Sequence, residues 1–161
     1  MNSSYISHLE TPIGTLEIKA DEENIVSVLF LNDSIIETEN TNAVIEICKV
    51  QLTEYFNRIR KEFDLPLKFS GTDFQTKVWR QLQTISFGKT ISYLQMAKNL
   101  GDPKCIRAAG TANGKNPFAI VVPCHRVIGS NGDLIGYAGG LWRKQWLLEH
   151  EGNLVKQKSL F

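Results

Sequence analysis

Between residues 92 and 103 the chain sets three helix punctuation marks close together. Ser92 stands where it can cap a short helix over Tyr93 to Leu100, and Gly101 supplies the left-handed residue that ends it. Asp102-Pro103 then gives a capping side chain followed by a proline in the next first turn. The pattern predicts two short helices joined by a tight glycine turn, the spacing of a helix-turn-helix; an ordinary helical hairpin carries the same marks. Upstream, Thr72-x-x-Gln75 reads as a capping box, with Phe74, Val78, Leu82 and Ile85 following at helical spacing.

The second of the two helices, read as Lys104 to Asn116, is built of small residues: Ala108, Ala109, Gly110, Thr111 and Ala112. Such side chains give a helix little core, but they let its backbone approach something large. One long cation, Arg107, projects from that smooth surface. A major-groove reader needs several polar side chains that reach base edges. This helix suits the shallow minor groove, where an arginine can wedge into the space of a displaced base. Charge points the same way. Residues 1–70 hold six Lys and Arg against twelve Asp and Glu, and residues 71–161 hold twelve against five. A basic second half predicts a polyanionic partner.

The first half reads as a small sheet and one helix. Tyr5–Leu9, Thr15–Lys19 and Ile25–Leu31 are short β-branched runs separated by turn segments, the pattern of antiparallel hairpins. Val44, Ile45, Cys48, Leu52, Tyr55, Phe56 and Ile59 then mark an amphipathic helix over about Asn42–Lys61, with Cys48 in its core face. Phe63–Ser70, containing Pro66, reads as a linker. The expected fold class is α+β. A domain of residues 1–70, an antiparallel sheet plus helix, precedes a mostly helical domain of residues 71–161 with a winged-helix-like helix-turn-helix and an active-site loop.

Cysteine usage excludes several classes of protein. Cys48, Cys105 and Cys124 are odd in number and lack CxxC spacing, which argues against a disulfide framework and a zinc site. No apolar stretch reaches membrane-span length, and MNSSYISHLE has no basic and apolar leader pattern. The expectation is a cytoplasmic (or nuclear) protein that does not enter a membrane, acts as a monomer, and needs no metal or cofactor.

The run AIVVPCHRVIGS, Ala119 to Ser130, places a thiol, an imidazole and a guanidinium side by side after an apolar segment and a proline. A core cysteine has no use for such neighbours, so Cys124 is read as a nucleophile. At this point the chain resembles the O6-alkylguanine–DNA alkyltransferase family. Pro123-Cys124-His125-Arg126-Val127 matches its nucleophile signature. Ser92-Tyr93, Arg107-Ala108-Ala109-Gly110, Asn116-Pro117, Gly136-Tyr137-Ala138-Gly139-Gly140 and Trp146-Leu147-Leu148-Glu149-His150-Glu151-Gly152 match further motifs in family order. The first half resembles the family's variable first domain. Some members carry a structural zinc there, and this chain lacks those ligands.

The resemblance implies a function and a set of roles. Double-stranded DNA containing O6-alkylguanine, or O4-alkylthymine, would bind through the minor groove against Arg107, Ala108, Ala109, Gly110 and Thr111. The damaged base would be extruded, with Arg107 filling its place. Cys124 would lose its proton through a bridging water to His125, and Glu151 would orient the imidazole. Tyr93 would serve guanine N3, Lys144 would support the Tyr93 hydroxyl, and Asn116 would tie the helix pair to the active-site segment. Val127, Tyr137, Ala138 and Gly139 would hold the base, with the Ala138 amide facing O6. Many members have serine at position 138, and alanine keeps only the backbone donor there. Glu149 and His150 are expected to face solvent. The product would be a thioether, and the turnover single.

Three other readings compete. A transcription factor would leave Pro-Cys-His-Arg unexplained, and a cysteine hydrolase would leave the bare helix unexplained. A non-enzymatic lesion binder of the alkyltransferase-like kind would lack the reactive cysteine, which is present here. The tail Gln157-Lys158-Ser159-Leu160-Phe161 resembles the pentapeptide that binds the bacterial replication sliding clamp, except at Lys158. Its Leu-Phe pair would anchor in a partner groove; a frayed chain end is the other reading.

Overall fold

The computed structural model describes residues 4–32 and 38–153. The Gln157–Phe161 motif lies outside them. The chain forms two compact units. One runs to Ser70 and also takes in Pro117–Val121; the other holds Gly71–Asn116 and the chain from Val122 onward.

In the first unit, β1 (Tyr5–Thr11), β2 (Gly14–Ala20) and β3 (Ile25–Phe30) form an antiparallel sheet in the order β1-β2-β3. Leu16 and Ile18 on β2 and Val28 on β3 are fully buried, so alternation sends one face of the sheet into the core. Helix α1 (Ala43–Phe56) packs on it through Ile45, Cys48, Leu52 and Tyr55. The Asn42 side chain caps the helix by accepting from the Ile45 amide. It ends at Phe56, short of the Lys61 expected from periodicity. Arg58 there turns to φ 65°, and its amide bonds the Tyr55 carbonyl.

Phe63–Ser70 is not a free linker. Ile25 N–H donates to Pro66 O at 2.8 Å and Lys68 N–H to Ile25 O at 3.0 Å, so this stretch pairs with β3. Phe63 lies against Tyr55, and Phe69 sets its ring edge-on to Phe118. Pro117–Ala119 pairs with β3 as well, through Val28 N–H to Pro117 O and Ala119 N–H to Val28 O, both 2.8 Å.

In the second unit, α2 (Asp73–Leu82) starts at the Thr72/Gln75 capping box, with both reciprocal hydrogen bonds formed. Strand β4 (Ile91–Ser92) leads directly into α3 (Tyr93–Asn99), which Ser92 caps. Gly101 has φ 106°, the conformation a chain needs to reverse here without a side-chain clash. Asp102 then caps a single 3-10 turn, Pro103–Cys105, and α4 runs only over Ile106–Gly114. The expected helix Lys104–Asn116 is therefore shorter at both ends. The Asp102 cap closes a tighter turn first, and Lys115 has left helical geometry before Pro117 is reached. Trp79 on α2 donates its indole N–H to Ala112 O on α4 at 2.8 Å, locking the two helices together.

Strand β5 (Val127–Ile128) pairs in parallel with β4, Ile91 opposite Val127 and Ser92 opposite Ile128. This short pairing brings the start of α3 beside the segment that follows Cys124. Helix α5 (Leu141–His150) buries Lys144, Leu147 and Leu148 and stops at Glu151.

Candidate active site

Cys124 opens a 3-10 turn, Cys124–Arg126, that leads straight into β5. Its side chain is nearly enclosed. Burial pushes the thiol up from its usual range, against a hydrogen bond from the Asn116 side chain and the charge of Lys144. The resting group is therefore a protonated thiol, and reaction requires a base.

His125 is the imidazole placed next to Cys124 in the chain. It is fully buried, and its Nε2 lies 2.8 Å from Glu151 Oε2. A carboxylate only accepts, so Nε2 carries the hydrogen and Nδ1 presents its lone pair. Among the described residues Nδ1 has no hydrogen-bond partner. Burial lowers the imidazole below its ordinary value despite Glu151, leaving it neutral and able to take a proton at pH 7.

Arg126 explains why Glu151 does not raise the imidazole further. Its Nε donates to Glu151 Oε1 at 2.8 Å and its Nη2 to Oε2 at 2.9 Å, a bidentate fork, while Nη1 reaches Ile85 O at 2.6 Å. The carboxylate is already compensated before the imidazole is counted. Burial alone would raise the Glu151 carboxyl; the hydrogen bonds of His125 and Arg126, with the Arg126 charge, outweigh it and hold the group far below the usual carboxylate range. Gly88 completes the seat. Its amide faces Glu151 Oε1 at 3.5 Å, and a β-carbon there would lie 3.2 Å from the Glu151 carbonyl.

A second cluster surrounds Tyr93. Its hydroxyl donates to Ile135 O at 2.9 Å, and Lys144 Nζ lies 3.4 Å from it. Lys144 also donates to Ile135 O at 3.0 Å and Gly136 O at 3.1 Å. Burial brings the ammonium down to about 8, a shift that a Cys124 thiolate opposes. Burial and the nearby Cys124 push the Tyr93 phenol up to about 12, so it remains a proton donor throughout the physiological range. Asn116, buried at the end of its helix, donates to Val122 O at 2.7 Å and also bonds the Cys124 sulfur. The expected tie between helix pair and active-site segment is thus made by side-chain hydrogen bonds.

Val127 is fully buried in β5. Tyr137, Ala138 and Gly139 follow Gly136 in a turn closed by Gly140 N–H to Tyr137 O, with Arg143 Nη1 holding Gly139 O at 2.9 Å. The Tyr137 hydroxyl is buried with no hydrogen-bond partner among the described residues, and burial raises it well above its ordinary value. Ala138 is exposed.

On α4, Arg107, Ala108 and Thr111 share an exposed face, and Gly110 lies beside the Tyr93 ring. Ala109 does not belong to that face. It is fully buried, one helical step from Ala112 and Asn113 on the packed side, so it is removed from the DNA-facing set. His150 is corrected as well. It is buried and stacks on Trp146 at 4.8 Å, whereas Glu149 is exposed as expected.

Sequence reasoning assigned no role to Arg126 or to Asn113. The Asn113 Nδ2 donates to Cys124 O at 3.4 Å, and its side chain also bonds the Tyr93 hydroxyl. The signal for Asn113 is its place in the buried i, i+3, i+4 stripe of Ala109 and Ala112, where a polar residue has to find partners. Among the described residues no group of three or more His, Cys, Asp or Glu could hold a metal ion, and no helix is long and apolar enough to cross a membrane.

A buried thiol with a carboxylate-oriented imidazole beside it, in the same unit as a helix pair with a small-residue face, defines a cysteine-nucleophile protein built on a helix-turn-helix framework. Residues 73–153 match the family model of the 6-O-methylguanine DNA methyltransferase DNA-binding domain, and residues 4–69 match that of the ribonuclease-like domain of the same family. The methylated-DNA–protein-cysteine methyltransferase of Methanosarcina acetivorans is 44% identical, over 92% of this chain and 99% of the relative. The crystal structure of Mycobacterium tuberculosis O6-methylguanine methyltransferase superposes with a TM-score of 0.85 at 40% identity, covering 92% of this chain and 93% of that one. The Mycobacterium tuberculosis protein in complex with DNA matches at 0.82 and 41% identity, over 89% and 90% of the two chains. The chain belongs to the methylated-DNA–protein-cysteine methyltransferase family.

Proposed function

We propose that this protein repairs DNA by moving the alkyl group of O6-alkylguanine, or of O4-alkylthymine, to Cys124 in one irreversible turnover without a cofactor. The observation that carries the reading is the 2.8 Å His125–Glu151 pair, buried next to a protonated thiol, with Nδ1 left as the free basic atom. Double-stranded DNA binds through its minor groove against the α4 face of Arg107, Ala108, Gly110 and Thr111. The damaged nucleotide swings out of the stack, which costs a few kcal/mol in an intact duplex and less at a poorly paired lesion. Arg107 takes the vacated space.

The Cys124 proton passes through water to His125 Nδ1, and Glu151 stabilises the imidazolium. The sulfur–carbon bond forms as the carbon–O6 bond breaks, and the electron pair leaves with the guanine. Tyr93 meets that developing charge at N3 as a donor, exchanging its Ile135 carbonyl for the base, with the Lys144 ammonium behind it. The backbone at Cys124 and Val127 reads the amine edge, the Ala138 amide faces O6, and Tyr137 and Gly139 complete the wall. The thioether product has no leaving group that water can displace, so no second step follows. The protein acts as a monomer in the cytoplasm.

Incubation with O6-methylguanine DNA is expected to add about 14 Da to Cys124, saturating at one adduct per chain, with no adduct on Cys124→Ser. Unmodified protein and unmodified DNA after stoichiometric mixing would exclude the reading. An alkyltransferase-like binder would retain the lesion intact, and a hydrolase would turn over repeatedly. The tail Gln157–Phe161 supports a second contact, with the replication sliding clamp. Equal recovery of the clamp by the full chain and by a chain lacking Phe161 would refute that contact.

A further inference from the structure

Ile120, four residues before the nucleophile, is one of two non-glycine residues at positive φ among the described residues. Its φ is 71°, in the left-handed region, where a β-branched side chain crowds its own carbonyl. The other non-glycine residue at positive φ, Arg58, sits just past the end of α1, a usual place for that conformation. Ile120 ends no helix. Instead the Val121 N–H donates to Ala119 O at 2.7 Å, a hydrogen bond that spans one residue. With φ positive at the central position, this is a γ-turn of the rare, strained hand.

The chain repeats the device in its relaxed hand three residues later. Pro123 has φ −82° and ψ 64°, and the Cys124 N–H donates to Val122 O at 2.8 Å. Two γ-turns of opposite hand therefore precede the sulfur, with only Val121 and Val122 between their centres. Glycine would occupy position 120 without strain. The chain uses isoleucine and keeps it almost fully buried, so the surrounding packing forces the conformation.

We propose that Ile120 is a positioning residue for alkyl transfer: its strained γ-turn restricts the run from Val121 to Cys124 to one path and so aims the thiol. Ile120 carries no group that reacts. A glycine there would open both signs of φ and give the run several paths. In-line displacement is sensitive to small displacements of the attacking atom, so freedom at Ile120 slows the reaction even where the turn itself relaxes. The inference rests on Cys124 being the alkyl acceptor.

The test compares Ile120→Gly with Ile120→Ala in the full-length chain, and Ile120→Val as the conservative control. Both truncations remove the buried side chain. In ordinary ordered backbone glycine is the less stable of the two; at positive φ the order reverses. The expected result is a Tm for Ile120→Gly equal to or above that of Ile120→Ala, with single-turnover transfer from saturating methylated DNA slower by about tenfold in the glycine variant. DNA affinity stays within about twofold across the series, and Ile120→Val transfers within about threefold of wild type. A purely structural role would move stability and rate in the same direction.

A glycine variant clearly less stable than the alanine one, or one that transfers as fast, overturns the proposal. Hydrogen exchange on the wild-type chain reads the turns without a variant. Slow exchange of the Val121 and Cys124 amides is expected, and fast exchange at either also overturns it. If wild-type protein forms no Cys124 adduct, the parent reading has failed, and the Tm order still reports on the turn alone.

Discussion

Glu151→Ala is expected to lose about 3–5 kcal/mol of folding stability, because it leaves Arg126 as a buried guanidinium without its counter-charge. The geometry makes the loss large. Glu151 accepts from His125 Nε2, Arg126 Nε and Arg126 Nη2, all at 2.8–2.9 Å, and the carboxylate side chain is fully enclosed. Urea denaturation of the two proteins measures it. Replacing Arg126 and Glu151 together with methionines is expected to cost less than replacing Glu151 alone, since an apolar pair leaves no charge stranded. The chemistry suffers separately. Without the carboxylate the imidazole loses the partner that fixes its tautomer, and transfer at saturating DNA falls by more than about tenfold. A rate within about threefold of wild type would remove Glu151 from the reaction and leave it as a structural ion pair.

His125→Ala is expected to slow alkyl transfer at pH 7 by about 10²–10⁴-fold, the usual range for loss of a positioned base. The loss is large here because Cys124 rests as a thiol, so little thiolate is present to react unaided. Quenched-flow measurement of the adduct gives the number; a smaller deficit than tenfold would mean that the proton leaves by another route. The wild-type pH profile carries a second signature. Burial lowers His125, so the imidazole remains an effective base somewhat below pH 6.5, and transfer declines only as the pH falls through that lowered value. Stability follows the same sign. Below about pH 6.5 an unfolded histidine takes up a proton that the buried one does not, and below about pH 4.3 an unfolded glutamate does the same before Glu151. Both groups bind more protons when unfolded, so acidification from neutrality lowers stability in two stages.

Local chemistry made much of the fold legible. The β-branched runs with Thr11-Pro12-Ile13-Gly14 between them announced the hairpins, and Thr72/Gln75, Ser92, Gly101 and Asp102 fixed helix starts and stops within a residue or two. The pairing of His125 with Glu151 came only from family resemblance, because it spans 26 residues and no local periodicity encodes it. The same distance hid the Arg126 fork. Phe63–Ser70 looked like a connector because Pro66 signals irregular backbone; its carbonyl nonetheless serves β3, a pairing that only the assembled sheet creates. His150 was hidden by its acidic neighbours, which suggest a wet helix face, although the stack on Trp146 buries it. Ile120 inverted the usual inference, since a β-branched residue in an apolar run signals extended backbone and the chain turns there instead.

Helix α5 stops on Glu151, the residue that holds the His125 imidazole. The Glu151 N–H is bonded to Leu147 O and Leu148 O, and Asn153 reaches back to Leu148 O. Fraying of that last turn would swing the carboxylate away from the imidazole and the guanidinium in one motion. In the proposed reaction the tempo of the sulfur chemistry is thus tethered to the winding of a helix end more than twenty residues downstream, so perturbations that never meet a nucleobase would still set the pace of repair.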